Sequence, residues 1–155
     1  MYEFHAWATI RVEDNDEDLD VLTAREEKAI EQLKEVIEAA DDKFSLFELT
    51  RTGNGMIVFL AHGLCNHRYE PVLDVFRWIT KSLPDSYGLL YIHDDEDHRE
   101  GEPESDNCFR VWKMALGKLT EESDPYLSPY IPTVEKPWSE IERSDLSNHR
   151  STTQN

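Results

Sequence analysis

Alternation of apolar and polar residues at the start of the chain constrains its fold more than any other feature. One face of the predicted strand would carry Tyr2, Phe4, Ala6, Ala8, Ile10 and Val12. The opposite face would carry Glu3, His5, Trp7, Thr9 and Arg11. A period of two is typical of a strand that buries one face. We therefore expect this segment to lie in a sheet whose first face is covered, with Trp7 on the second face.

Two amphipathic helices are predicted further along the chain. Thr23 and Glu26 have the spacing of a capping box, and apolar residues follow at helical intervals as far as Ala40. The second helix would begin at Pro71, which suits a first helical turn, and would end before Pro84.

Short apolar runs predict four further strands. A Thr-Gly-Asn-Gly turn at 52–55 would join the first two of these in a hairpin. The run that follows the turn is almost continuously apolar, which favours a place in the centre of the sheet. The four predicted strands cover residues 44–50, 56–61, 87–93 and 108–119.

This order of elements indicates an α+β fold with an antiparallel sheet of about five strands and two helices on one face. It matches the split βαβ pattern, as a ferredoxin-like variant. We expect a single domain over residues 1–138. It would include a Pro-rich segment, residues 124–138, that runs extended over the body of the domain. Residues 139–155 are polar and are expected to form a flexible tail.

Negative charge is concentrated in two short runs. The chain has 155 residues and a formal net charge of −17. Residues 13–20 carry −6 and residues 93–106 carry −7, so most of the net charge lies in 22 residues. Such runs are common in solvated loops, but two in one small domain favour an electrostatic docking surface for a basic partner. Direct binding to nucleic acid or to an anionic membrane is not expected, because either needs clustered Lys and Arg.

The chain is expected to be cytoplasmic. It has no apolar run long enough to span a bilayer and no secretory signal pattern at its start. Its two cysteines, Cys65 and Cys108, would remain reduced in that compartment.

Two clusters have residue types that bind metals. His62, Cys65 and His67 could suggest zinc, but a structural site needs four ligands and no second cluster has comparable spacing. Asp94, Asp95, Asp97 and His98 could hold a divalent ion that activates water. However, the run of acids continues well beyond what a metal site needs, which favours docking. No motif for a phosphate loop or a catalytic nucleophile is present.

Several stretches resemble the immunity protein 7 family of bacterial polymorphic toxin systems. The similarity extends from Met1 to about Trp138, and its most specific part is the Tyr-Gly-Leu-Leu-Tyr run at 87–91 leading into Asp-Asp-Glu-Asp at 94–97. Two positions differ from what relatives often carry: Ala6 stands in place of a glycine, and His93 in place of an arginine before the acidic run. The matching stretches are 1–8, 66–68, 86–97, 117–120 and 124–129.

The resemblance implies a cytosolic antitoxin without catalytic activity or cofactor. Its partner would be the C-terminal toxin domain of a secreted or contact-delivered effector, a basic domain and possibly a nuclease. From charge and exposure we predict that the partner-binding residues are Trp7, Asp94, Asp95, Glu96, Asp97, Glu100, Glu102, Glu104 and Asp106.

Two other functions stay open from the sequence. One is a small metal-dependent hydrolase that uses the Asp/His cluster at 93–98. The other is a general acidic adaptor or DNA mimic that binds many basic proteins.

Overall fold

The N-terminal strand lies in the interior of a six-stranded antiparallel sheet. The computed structural model describes residues 1–12, 18–40 and 45–140. Strand order in the sheet is β2-β3-β1-β4-β5-β6, so β1 pairs with β3 on one side and with β4 on the other. The first six elements form the predicted split βαβ arrangement, and the α+β prediction is confirmed. The strands are β1 (Tyr2–Ile10), β2 (Ser45–Arg51), β3 (Ile57–Cys65), β4 (Tyr87–Asp94), β5 (Phe109–Ala115) and β6 (Lys118–Ser123).

Two helices cover one face of the sheet: α1 (Leu19–Ala40) and α2 (Pro71–Ser82). The predicted inner face of β1 is buried from Tyr2 to Ile10, as alternation requires. It packs in one cluster with Leu33 of α1 and Phe76 of α2, neither of which is exposed to solvent. The opposite side of the sheet is covered by neither α1 nor α2, and we call it the open face.

The first helix begins four residues earlier than the capping-box pattern predicts. Asp18 occupies the cap position, because its carboxylate accepts a hydrogen bond from the Asp20 amide at 2.9 Å. Thr23 instead lies inside the helix, where its hydroxyl donates to the Leu19 carbonyl at 2.8 Å. The prediction that Thr23 is the cap is therefore wrong. Of the first acidic run, residues 13–17 lie outside the described residues.

Strand β3 is longer than its apolar run and lies second from the sheet edge, between β2 and β1. Alternate residues of β3 reach the open face, so Leu60, His62 and Leu64 are exposed. His62 and Cys65 consequently point to opposite faces, and His67 lies in the following loop. The three residues do not converge on one point, which removes the basis for a zinc site.

The predicted fifth strand is in fact two strands. Leu116 and Gly117 both adopt positive φ, at 52° and 65°, and turn the chain into a hairpin of β5 and β6. The Gly117 amide donates to the Pro84 carbonyl at 2.8 Å, which ties this turn to the end of α2. The sheet therefore has six strands rather than about five.

The Pro-rich segment packs against the body of the domain. At α3 (Tyr130–Thr133) the segment makes a kinked turn, within which Ile131 keeps the extended backbone that the sequence predicted (φ −99°, ψ 122°). Asp124 begins the segment: its carboxylate accepts hydrogen bonds from the amides of Tyr126 and Leu127. Tyr130 is buried against the sheet. Most of the predicted tail, residues 141–155, lies outside the described residues.

The strand directions place the second acidic run beside the start of β1. Tyr2 pairs with Asp94, whereas Thr9 pairs with Tyr87 at the other end of β4. The acidic residues after β4 therefore lie at the opposite end of the sheet from the end of β1. None of the described helices is long and apolar enough to cross a membrane.

Candidate protein interface

The second acidic run, residues 93–106, forms a folded loop, which we call the acidic loop. A tight turn opens it: the Asp97 amide donates to the Asp94 carbonyl at 3.0 Å, and the Glu96 amide donates to the Asp94 carboxylate at 3.1 Å. Ser105, which is buried, closes it by donating to the Asp97 carbonyl and accepting from the Arg99 amide. These contacts join the two ends of the loop.

Two arginines neutralise the buried acids at the start of the loop. Arg68 donates from Nε to Asp94 at 2.8 Å and also reaches Asp97 at 3.4 Å. Arg99 donates to Asp97 at 2.7 Å and to Glu121 on β6 at 2.6 Å. The hydrogen bond to Asp94 raises the pKa of Arg68, and the hydrogen bond to Glu121 raises that of Arg99. Asp94 and Asp97 are therefore structural ion-pair partners that lie below the surface.

Other acids of the loop are also paired. Arg110 of β5, itself buried, binds the exposed Glu102 carboxylate and lowers the pKa of that group. The N-terminal ammonium of Met1 binds Asp95. A run with net charge −7 in the sequence thus presents much less free charge, because Arg68, Arg110 and the N-terminus come to it from outside.

The free charge of the loop lies mainly on Glu100 and Glu104. Both are exposed, and no cation among the described residues forms an ion pair with either carboxylate. Glu96 lies 3.3 Å from His67, and Asp106 lies 4.0 Å from His98. These four carboxylates form the part of the loop that an incoming partner would meet first.

The pairing of Asp94 and Asp97 with arginines argues against the metal-dependent hydrolase. Asp94 and Asp97 accept arginine hydrogen bonds, so a divalent ion would have to displace a guanidinium from each. The cleft between Arg68, Arg99 and Arg110 has a volume of about 50 Å³, room for no more than a few water molecules. No group of three or more His, Cys, Asp or Glu side chains in the described ranges could hold a metal ion.

His93 lies under the Pro-rich segment, on the open face. Its ring stacks on Tyr130 with centroids 4.1 Å apart and also contacts Phe109 at 5.3 Å. Burial lowers the pKa of His93, and the nearby carboxylates of Glu3, Asp95 and Asp94 only partly oppose this effect. His93 is therefore a neutral aromatic spacer between the sheet and the segment.

We expect acidification to destabilise the fold through His93. Unfolded His93 takes up a proton near pH 6.5, whereas the buried ring resists protonation until lower pH. The unfolded chain therefore binds more protons in this window, and stability falls as pH drops below about 6.5. The slope approaches ~1.4 kcal/mol per pH unit where only the unfolded form is charged.

Urea unfolding at pH 7.5, 6.5 and 5.5 measures this effect. His93→Phe should flatten the pH dependence, because phenylalanine keeps the aromatic packing and does not titrate. His98→Gln, which changes an exposed histidine of the same loop, is the matched control. A full slope in His93→Phe would contradict the assignment.

Trp7 lies apart from the acidic loop. It is on the open face, paired across the sheet with Leu60 and Leu89, and five residues along β1 from the position opposite Asp94. That separation corresponds to roughly 17 Å along the strand. The structure thus brings the predicted acidic residues together and leaves Trp7 on a different surface.

The residues that sequence reasoning missed are the cations. Arg68, Arg99 and Arg110 decide which acids are free. Arg99 lies within the acidic run at 93–106 and Arg68 in the Asn-His-Arg match at 66–68, whereas Arg110 lies in neither stretch. Arg68 is 26 residues from Asp94 and Arg110 is eight residues from Glu102. No local pattern indicates either pair.

The chain is an α+β domain with a split βαβ sheet, and arginines pair with the buried carboxylates of its acidic loop. The chain belongs to the immunity protein 7 family: the family model matches residues 1–136, nearly the whole of the described part. The resemblance seen in the sequence is therefore confirmed. No curated protein and no solved structure matches the chain.

Proposed function

We propose that this protein binds and neutralises the C-terminal toxin domain of a secreted or contact-delivered bacterial effector. Membership of the immunity protein 7 family carries the proposal, because such a protein acts against a toxin. The pairing of Asp94 and Asp97 with arginine supports binding rather than catalysis. The protein would act in the cytoplasm without a cofactor.

The acidic loop would be the first region to meet the toxin. We propose that Asp94, Asp95, Glu96, Asp97, Glu100, Glu102, Glu104 and Asp106 shape its surface, with the free charge of Glu100 and Glu104 drawing in a basic partner. A nuclease domain fits this chemistry, since it needs Lys and Arg to hold phosphates. The arginine-paired acids would keep the loop rigid, which limits the entropy lost on binding.

A protection assay tests the proposal. The C-terminal domain of the toxin encoded beside this gene is expressed from an inducible promoter, with and without this protein. Growth restored, together with co-purification of the two chains, is the expected result. Killing that the protein does not prevent, with no complex formed, would overturn the proposal.

Neutralising the two free acids should slow association with the toxin domain. At low salt we expect Glu100→Gln with Glu104→Gln to reduce the association rate about threefold, because steering depends on charge near the contact. The dissociation rate should not change. At 0.5 M NaCl the difference should nearly vanish, since salt screens exposed charges.

A matched variant separates local steering from the overall charge. Glu35→Gln with Glu38→Gln removes two exposed acids from α1, which lies on the other side of the molecule from the open face. Biolayer interferometry would measure both double variants. Equal slowing by the two would show that only net charge matters and would remove the loop from the encounter surface.

A further inference from the structure

The open face is unusually apolar on four adjacent strands. A solvated face of an antiparallel sheet normally carries polar residues. Here large apolar side chains from β2, β3, β1 and β4 are between 37% and 57% exposed. They are Trp7, Leu46, Leu60, Leu64 and Tyr87. Clustered exposure of this kind marks a surface that another molecule covers.

Strand register makes these residues one continuous patch. Trp7 lies opposite Leu60 on β3, and His62 lies opposite both His5 on β1 and Leu46 on β2. Between them is an open hollow of about 460 Å³, lined by these residues and by Tyr91. Its floor is the backbone of the central strands, so the hollow does not depend on a loop.

The chain itself covers part of the remaining face, whereas Lys113 of β5 stays exposed there and pairs with Glu122. Tyr130 of the Pro-rich segment packs on His93 and Phe109, and the Phe109 amide donates to the Ser128 hydroxyl at 2.9 Å. The Pro-rich segment thus covers the end of β4 and the start of β5 on this face. Trp7 is left exposed but ordered, with its ring edge-on to Tyr87 at 6.1 Å. An anchor that is already held in place loses little entropy on binding.

Charge on these four strands indicates the chemistry of the occupant. The open face carries the carboxylates of Glu3 and Glu48, and β1, β2, β3 and β4 contain a single Lys or Arg, namely Arg51. Arg51 pairs with Glu26 of α1 on the helix side, 2.6 Å away. An apolar centre with an acidic margin is complementary to a basic protein surface that has an apolar projection.

We propose that the open face, centred on Trp7, is the surface that packs against the cognate toxin domain. The toxin would contribute an apolar projection framed by Lys or Arg. This inference rests on the proposed function and extends it: the acidic loop speeds the encounter, whereas the open face determines how long the complex lasts. Trp7 is of a residue type that often dominates binding energy at the centre of an interface.

Two variants and two matched controls test the surface in the full-length protein. Trp7→Ala removes the central ring, and Leu46→Asp places a charge on the edge strand β2, where the side chain is exposed. Trp138→Ala removes an exposed tryptophan of the C-terminal segment, and Leu116→Asp adds a charge in the β5–β6 turn. The ligand is an inactivated C-terminal domain of the toxin encoded beside this gene.

We expect Trp7→Ala and Leu46→Asp each to weaken binding by at least ~25-fold, mostly through faster dissociation. The loss in Trp7→Ala, which changes no charge, should be equal at 0.15 and 0.5 M NaCl. The two controls should stay within about twofold of the wild type. Circular dichroism melting confirms that each variant is folded. Leu46→Asp carries the test if Trp7→Ala does not fold, because Leu46 is exposed at the sheet edge.

The outcomes separate the inference from the function on which it rests. Wild-type binding that both variants retain would overturn the open face as the interface and leave the proposed function standing. No binding by the wild type would overturn both. Sedimentation equilibrium adds one further outcome: a dimer dissociated by Leu46→Asp would make a second copy of this chain the occupant, and would overturn the proposal.

Discussion

Gly88→Ala should lower the free energy of unfolding by about 3 kcal/mol, at the upper end of what overpacking usually costs. A Cβ at this position would lie 2.2 Å from the backbone oxygen of Trp7 and 2.7 Å from the Cα of Ala8. Both atoms belong to the backbone of β1, the strand that holds β3 and β4 together. Neither can move away without breaking that pairing.

Gly53→Ala is the matched control. A Cβ at Gly53 would meet nothing within 4 Å, and φ at this position is not positive. Its effect should stay within about 0.5 kcal/mol. Urea unfolding followed by circular dichroism compares the two variants. The same midpoint for Gly88→Ala as for the wild type would show that β1 and β4 can separate at this point without cost.

Asp94→Ala should lower the free energy of unfolding by about 2 kcal/mol. Asp94 is buried and receives hydrogen bonds from Arg68 and from the Glu96 amide. Bonds to a charged group contribute ~1.5–3 kcal/mol, and the half-exposed guanidinium places this pair in the lower part of that range. The turn that opens the acidic loop should also become more mobile.

Hydrogen exchange distinguishes this role from a general loss of stability. Amides of the acidic loop should exchange faster in Asp94→Ala, whereas those of α2 should change only as global stability requires. Glu104→Ala, which removes an exposed and unpaired carboxylate of the same loop, is the control and should leave both unchanged. Identical behaviour of the two variants would contradict a structural role for Asp94.

This role changes how the docking hypothesis must be tested. Neutralising Asp94, Asp95 and Asp97 together looks from the sequence like a test of steering. In the structure it removes two buried partners of Arg68 and Arg99 and the partner of the N-terminus. A loss of binding in such a variant would reflect loss of folding as well as loss of charge. Glu100 and Glu104 are the acids whose loss leaves the loop intact.

Errors in the predicted elements lie at the boundaries between elements. Apolar spacing located both long helices and the cores of the first five strands, but not β6, because periodicity depends on neighbours only a few residues apart. It failed at the start of α1, where Asp18 caps the helix, and at the β5–β6 turn, where Leu116 adopts a positive φ that its side chain does not favour. At α1 the sequence offers two residues that cap well, and Asp18 is the one used. At Leu116 local propensity is overruled by the turn between β5 and β6.

Some properties of the candidate site could be predicted from the sequence and others could not. By itself the sequence determined the α+β class, the buried face of β1 and the presence of a strongly acidic segment after β4, because each follows from composition and spacing within a short window. Only the tertiary structure decided that Arg68 and Arg110 neutralise much of that segment, and that the Pro-rich segment covers His93 but not Trp7. These ion pairs, and the burial of His93 under the Pro-rich segment, depend on groups that are distant in the chain and meet only after the sheet has formed.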